Sequence, residues 1–77
     1  MDDRSVLTHI EELMEEERKL LAATGLSKEE EHHLHEIGVE LDQYWDLLRQ
    51  RRALRDAGDD PDNAQLRPPG IVENYEQ

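Results

Sequence analysis

Arg49, Arg51, Arg52 and Arg55 set four guanidinium groups within seven residues, with no acid between them. A guanidinium is planar, permanently charged and binds carboxylates or phosphates through paired hydrogen bonds. In a chain of net charge −11, such a cluster predicts an anion or phosphate site, or a docking surface for an acidic segment. A structural use is also open. Basic side chains are favourable at the C-terminal end of a helix, and Asp2 and Asp3 fall near the same level if the chain folds as a hairpin.

Other chemistry-bearing residues do not converge. His32, His33, His35 and Glu36 include pairs at ligand-like helical spacing. A metal centre needs three or four converging ligands, and His33 points away from His35. His9 would lie opposite Asp42, about 15 Å along the axis from His32. The group reads as a solvated polar face, and no metal or other cofactor is expected. Glu17 sits in the apolar stripe of its helix, where burial would raise its pKa, unless it lies at the stripe's edge and stays wet. No second carboxylate, nucleophile or base is arranged around it. Without a catalytic triad, phosphate loop or thiol, the chain is not expected to be an enzyme.

Two long helices must carry these groups. Ser27-Lys28-Glu29-Glu30 is a capping box, and Gly58 followed by Pro61 is a helix stop. Between them Leu34, Ile37, Leu41, Tyr44, Trp45 and Leu48 recur in steps of three and four, an amphipathic stripe. At about 100° per residue, Arg52 and Arg55 continue the side that holds Leu41 and Trp45. Leu41, Tyr44, Trp45 and Leu48 are thus the candidate interface core. Gly38 costs about 1 kcal/mol relative to alanine within a helix, which suggests close approach of another backbone or else a tolerated weak point. An earlier helix, capped by Asp2, Asp3 or Ser5, carries Val6, Leu7, Ile10, Leu13, Met14, Leu20 and Leu21. The short link Thr24-Gly25-Leu26 makes the helices antiparallel neighbours.

The expected fold is therefore all-α: an antiparallel, coiled-coil-like two-helix hairpin over residues 1–58, with helices at about 4–23 and 28–57. Residue i of the first helix should face roughly 51 − i of the second. That sets Leu13 against Gly38, Met14 against Ile37 and Ile10 against Leu41, and leaves residues 48–57 overhanging. A second chain or the tail should cover them. Residues 59–77 hold Pro61, Pro68 and Pro69, so they cannot form a continuous helix. An extended tail, docking if at all through Ile71, Val72 and Tyr75, is expected.

Composition narrows the partners. Seventy-seven residues, 35% hydrophobic and without cysteine, build a core that seldom gives more than about 3–5 kcal/mol. Association of two hairpins into a four-helix bundle is the expected remedy. Residues 1–40 carry a net −8, residues 41–57 a net +1 and residues 58–77 a net −4. This field repels nucleic acid and anionic membranes, and only 4% of residues are aromatic, so no nucleic-acid partner is expected. The acidic start, the absence of an apolar span and the lack of cysteine lead to the expectation of a cytoplasmic protein.

The run from Glu40 to Arg55, with Asp42-Gln43-Tyr44-Trp45-Asp46 at its centre, resembles the signature of a bacterial family known as domain of unknown function 2630. Met1-Asp2-Asp3-Arg4-Ser5-Val6-Leu7, Arg67-Pro68-Pro69, Val72-Glu73 and Tyr75 are similar to it too. The resemblance implies a small cytoplasmic helical protein and no particular activity. The hairpin outline is also similar to helical anti-sigma regulators that bind a cyclic dinucleotide. Tyr44 and Leu47, however, stand where that binding motif has serine and arginine. The combined expectation is a non-enzymatic interaction or regulatory module with an unidentified protein partner, or alternatively a sensor of a small phosphate-bearing ligand.

Overall fold

The computed structural model describes residues 2–73. Helix α1 spans Asp3–Ala22 and α2 spans Lys28–Asp56; a 3-10 turn at Pro61–Asn63 and a short helix α3 at Pro69–Glu73 follow. The Asp2 carboxylate caps α1 by accepting the Ser5 N–H at 2.8 Å. The capping box of α2 is closed in both directions. Ser27 Oγ accepts the Glu30 N–H at 3.1 Å, and Glu30 accepts the Ser27 N–H at 3.0 Å. At the other end Gly58 has φ +81°. Its N–H bonds to the Arg55 carbonyl, and that of Asp59 to the Leu54 carbonyl, the reciprocal pattern that satisfies the last free carbonyls of a helix.

The two helices pack antiparallel. Val6, Ile10 and Leu13 of α1 meet Ile37, Leu41 and Leu47 of α2, and Leu20, Tyr44, Leu48 and Ala64 flank this core. Burying a side chain of this size contributes about 1.5–3 kcal/mol before the entropy of ordering. Cross-helix contacts at Glu16–His33, His9–Tyr44 and Asp3–Arg51 follow the 51 − i register to within about three residues. The partners run ahead of that register toward the open end. So α1 reaches the level of Arg51 and Arg55, and the overhang of α2 is shorter than expected.

Three expectations about packing need correction. Met14 does not pack into the core against Ile37; it is 49% exposed, and Leu7 and Leu21, one heptad to either side, are exposed as well. The apolar residues of α1 form two lines, and only Val6, Ile10, Leu13 and Leu20 point at α2. Gly38 is not a point of close approach: a Cβ there would have nothing within 4 Å. His9 packs tilted against Tyr44, with ring centroids 4.3 Å apart and planes 51° to each other, instead of facing Asp42.

The tail, read as extended, contains the 3-10 turn and α3, and it folds back along α2. Ala64 packs against the core, and Pro61, Asp62, Gln65 and Arg67 bond to α2. Ile71 is exposed and Val72 half-buried, while Tyr75 lies outside the described residues. The resulting body measures 49 × 28 × 15 Å, a thin slab one helix deep. Among the described residues no helix is long and apolar enough to cross a membrane.

Candidate functional site

The arginine cluster divides around the helix. Arg51 is 5% exposed. Its Nε donates to Asp3 at 2.5 Å, and its Nη1 donates to Asp62 at 3.0 Å and to the Pro61 carbonyl at 3.2 Å. One guanidinium thus ties the start of α1 and the tail to α2. Arg55 donates to the second Asp3 oxygen at 2.6 Å. The bonds from Arg51, then those from Arg55, hold the Asp3 carboxyl below the usual carboxylate range, and the Arg51 pKa is raised in turn. Arg49 is exposed and its charge helps to lower the Asp46 pKa. Arg52 is exposed on the side of Trp45.

A second polar cluster lies under the tail. Asp46 is 1% exposed on α2. It accepts a two-point ion pair from Arg67, with Nε at 2.8 Å and Nη2 on the other carboxylate oxygen, and a third bond from Gln50 at 2.9 Å. The bond from Arg67 outweighs burial and lowers the Asp46 pKa. Gln43 donates to the Arg67 carbonyl at 3.0 Å and Gln50 to the Gln65 carbonyl at 2.8 Å. These amides satisfy tail carbonyls that no regular secondary structure would pair.

Sequence periodicity missed Asp46, Arg67 and Asp62. A signal was present for the first two. Asp46 is an acid enclosed by Trp45, Leu47 and Leu48, and Arg67 is the single basic residue after position 57. Opposite charges isolated in hostile surroundings are candidates for each other.

The histidines remain apart. His32 pairs with Glu36 at 2.7 Å and His33 with Glu16 at 2.5 Å. The Glu16 carboxylate raises the His33 pKa. The buried His9 Nε2 has no hydrogen-bond partner among the described residues. Glu17 is half-buried and lines an open groove with Met14, His35, Gly38, Asp42 and Trp45.

The candidate interface residues separate in the same way as the arginines. Leu41 is buried, and Tyr44 and Leu48 are half-buried against the core. Trp45 is 42% exposed. Helical geometry explains the division. At about 100° per residue, α2 presents three faces. Ile37, Leu41, Tyr44 and Leu48 face α1, and Gln43, Asp46 and Gln50 face the tail. The line Glu31, His35, Gly38, Asp42, Trp45 and Arg52 lies about 100° from each of these and is left to solvent. This third face, which carries Trp45, is the candidate interaction site.

A family model described as a protein of unknown function (DUF2630) matches residues 2–77. Uncharacterized proteins of Mycobacterium bovis and of Mycobacterium tuberculosis are each 51% identical to the chain over 77 residues, covering 95% of it and 88% of the relative. No solved structure matches.

Proposed function

The chain belongs to the DUF2630 family of unknown function, and from its geometry we propose that it is a non-enzymatic interaction module, regulatory in character, which engages a protein partner through the Trp45 face of α2. The observation that carries this reading is an indole 42% exposed on a helix that α1 and the tail cover on two other sides. Tryptophan and arginine are the side chains that most often dominate binding energy, and Trp45 and Arg52 lie two turns apart on this line. Arg55 is better regarded as structural, because Asp3 already occupies it.

Full-length protein carrying Trp45→Ala or Arg52→Ala, used as bait, should lose partner capture with its helical circular dichroism intact. Capture unchanged by both substitutions overturns the reading. The anion-sensor reading is less well supported. Arg51 and Arg55 already hold carboxylates, so a phosphate would have to displace Asp3. Calorimetry against a nucleotide and phosphometabolite panel, expected to be silent, tests that alternative.

A further inference from the structure

The hairpin has one covered side and one bare side. The tail closes α2 at Gln43, Asp46 and Gln50. The bare side collects Leu7, Met14 and Leu21 of α1 and Trp45 of α2, four of the six large apolar side chains exposed among the described residues. Helical domains ordinarily bury such a side against a second layer. Here the slab is 15 Å deep and 49 × 28 Å across, which leaves room for the roughly 800 Å² per partner of a stable interface.

Building on the proposed interaction face, we propose that its partner is a second copy of this chain, packed layer on layer with the two α2 helices antiparallel and each Trp45 seated over the other's Gly38. The shape argument is local. Nothing lies within 4 Å of a Cβ at Gly38, and Met14, Val39 and Trp45 wall the groove beside it. Gly38 and Trp45 are two helical turns apart on one line, so a two-fold axis between residues 41 and 42 sets each indole against the other chain's gap. The charges agree. On the same line the acidic Glu31 and the basic Arg52 are both exposed; this axis brings Glu31 of one copy to the height of Arg52 of the other, while the two Asp42 carboxylates meet beside the axis. A parallel copy would oppose like charges instead. For a chain of net charge −11, an antiparallel self-pair is thus an arrangement in which Arg52 meets an acid.

Sedimentation equilibrium of the full chain, from micromolar to millimolar concentration, tests the proposal. The wild type should dimerise. Trp45→Ala and Gly38→Leu should each weaken association by at least about tenfold, as expected for loss of an aromatic anchor or filling of its pocket. Gly38→Leu should also raise the urea midpoint of the dilute monomer, since leucine is the better helix former. A purely structural role for Gly38 could not move the two readouts in opposite directions. Because the chain has no cysteine, Asp42→Cys beside the axis should form an interchain disulfide on mild oxidation, while Glu36→Cys, on the far side of α2, should not. A wild type that stays monomeric throughout overturns the self-pairing alone and leaves the face open to another protein. A dimer indifferent to both substitutions, or one cross-linked through residue 36 and not 42, overturns the self-pairing through this face and likewise leaves the face to another protein.

Discussion

Arg67 grips Asp46 across 21 positions of sequence, and the carboxylate it grips is 1% exposed in the middle of a helix. Together with the Arg51–Asp62 pair and the Gln43 and Gln50 amides, this pair sets where the tail lies. A buried charge without its partner costs several kcal/mol, so Asp46 and the returning tail are interdependent. Arg67→Ala should lower unfolding stability by about 2 kcal/mol, less than the roughly 3–5 kcal/mol of a fully buried pair because Arg67 is itself 38% exposed. Urea denaturation would read the loss. Limited proteolysis within residues 59–68 should accelerate in the variant and not in the wild type.

Arg51 and Arg52 are neighbours with different duties. Removing Arg51 breaks contacts to Asp3, Asp62 and the Pro61 carbonyl together. Arg51→Ala should therefore reduce the urea midpoint clearly. Arg52→Ala should stay within about 0.5 kcal/mol of the wild type at protein concentrations where the chain is monomeric. Equal effects from the two substitutions would contradict the division of the cluster.

The same substitution should have opposite signs at two glycines. Gly38→Ala adds a methyl to open space in a helix interior and should stabilise the dilute monomer by up to about 1 kcal/mol. Gly58→Ala forces a side chain into φ +81° and should destabilise by about 1 kcal/mol. Paired urea curves at low concentration check both.

Stability should fall on both sides of a plateau in pH. The Asp2, Asp3, Glu15, Glu30 and Asp46 carboxyls are held below their ordinary values by hydrogen bonds. Their contribution is present above the unfolded pKa of about 4 and disappears as pH falls through the folded values. His33 has the opposite sign. Glu16 raises its pKa, so its contribution is complete below about pH 6.5 and is lost as pH rises through the folded value. Urea midpoints measured from pH 2 to 9 should show the acid limb. In Glu16→Gln the small alkaline limb should vanish, and the His33 resonance should titrate lower.

Much of the architecture was legible in residue order because its causes are local. Ser27 with Glu30 starts α2, and Gly58 stops it. The three-and-four spacing of Ile37, Leu41, Tyr44 and Leu48 fixes the face that meets α1. The short link forces the hairpin, and with it the proximity of Asp3 to the arginines. Periodicity could not say which arginine is buried. It pointed to Arg52 and Arg55, which continue the line of Leu41 and Trp45, whereas Arg51 is the one enclosed. That outcome depends on the tail returning to the opposite flank of α2, through the long-range contacts Asp46–Arg67 and Arg51–Asp62. Nothing in a helical repeat encodes such contacts, because their benefit exists only once both partners have left water together. Tertiary structure likewise decided that Met14 and Trp45 stay exposed and that Gly38 borders open space. A stripe in sequence shows that a face is apolar; the count of elements available to cover it shows whether that face is buried within the chain.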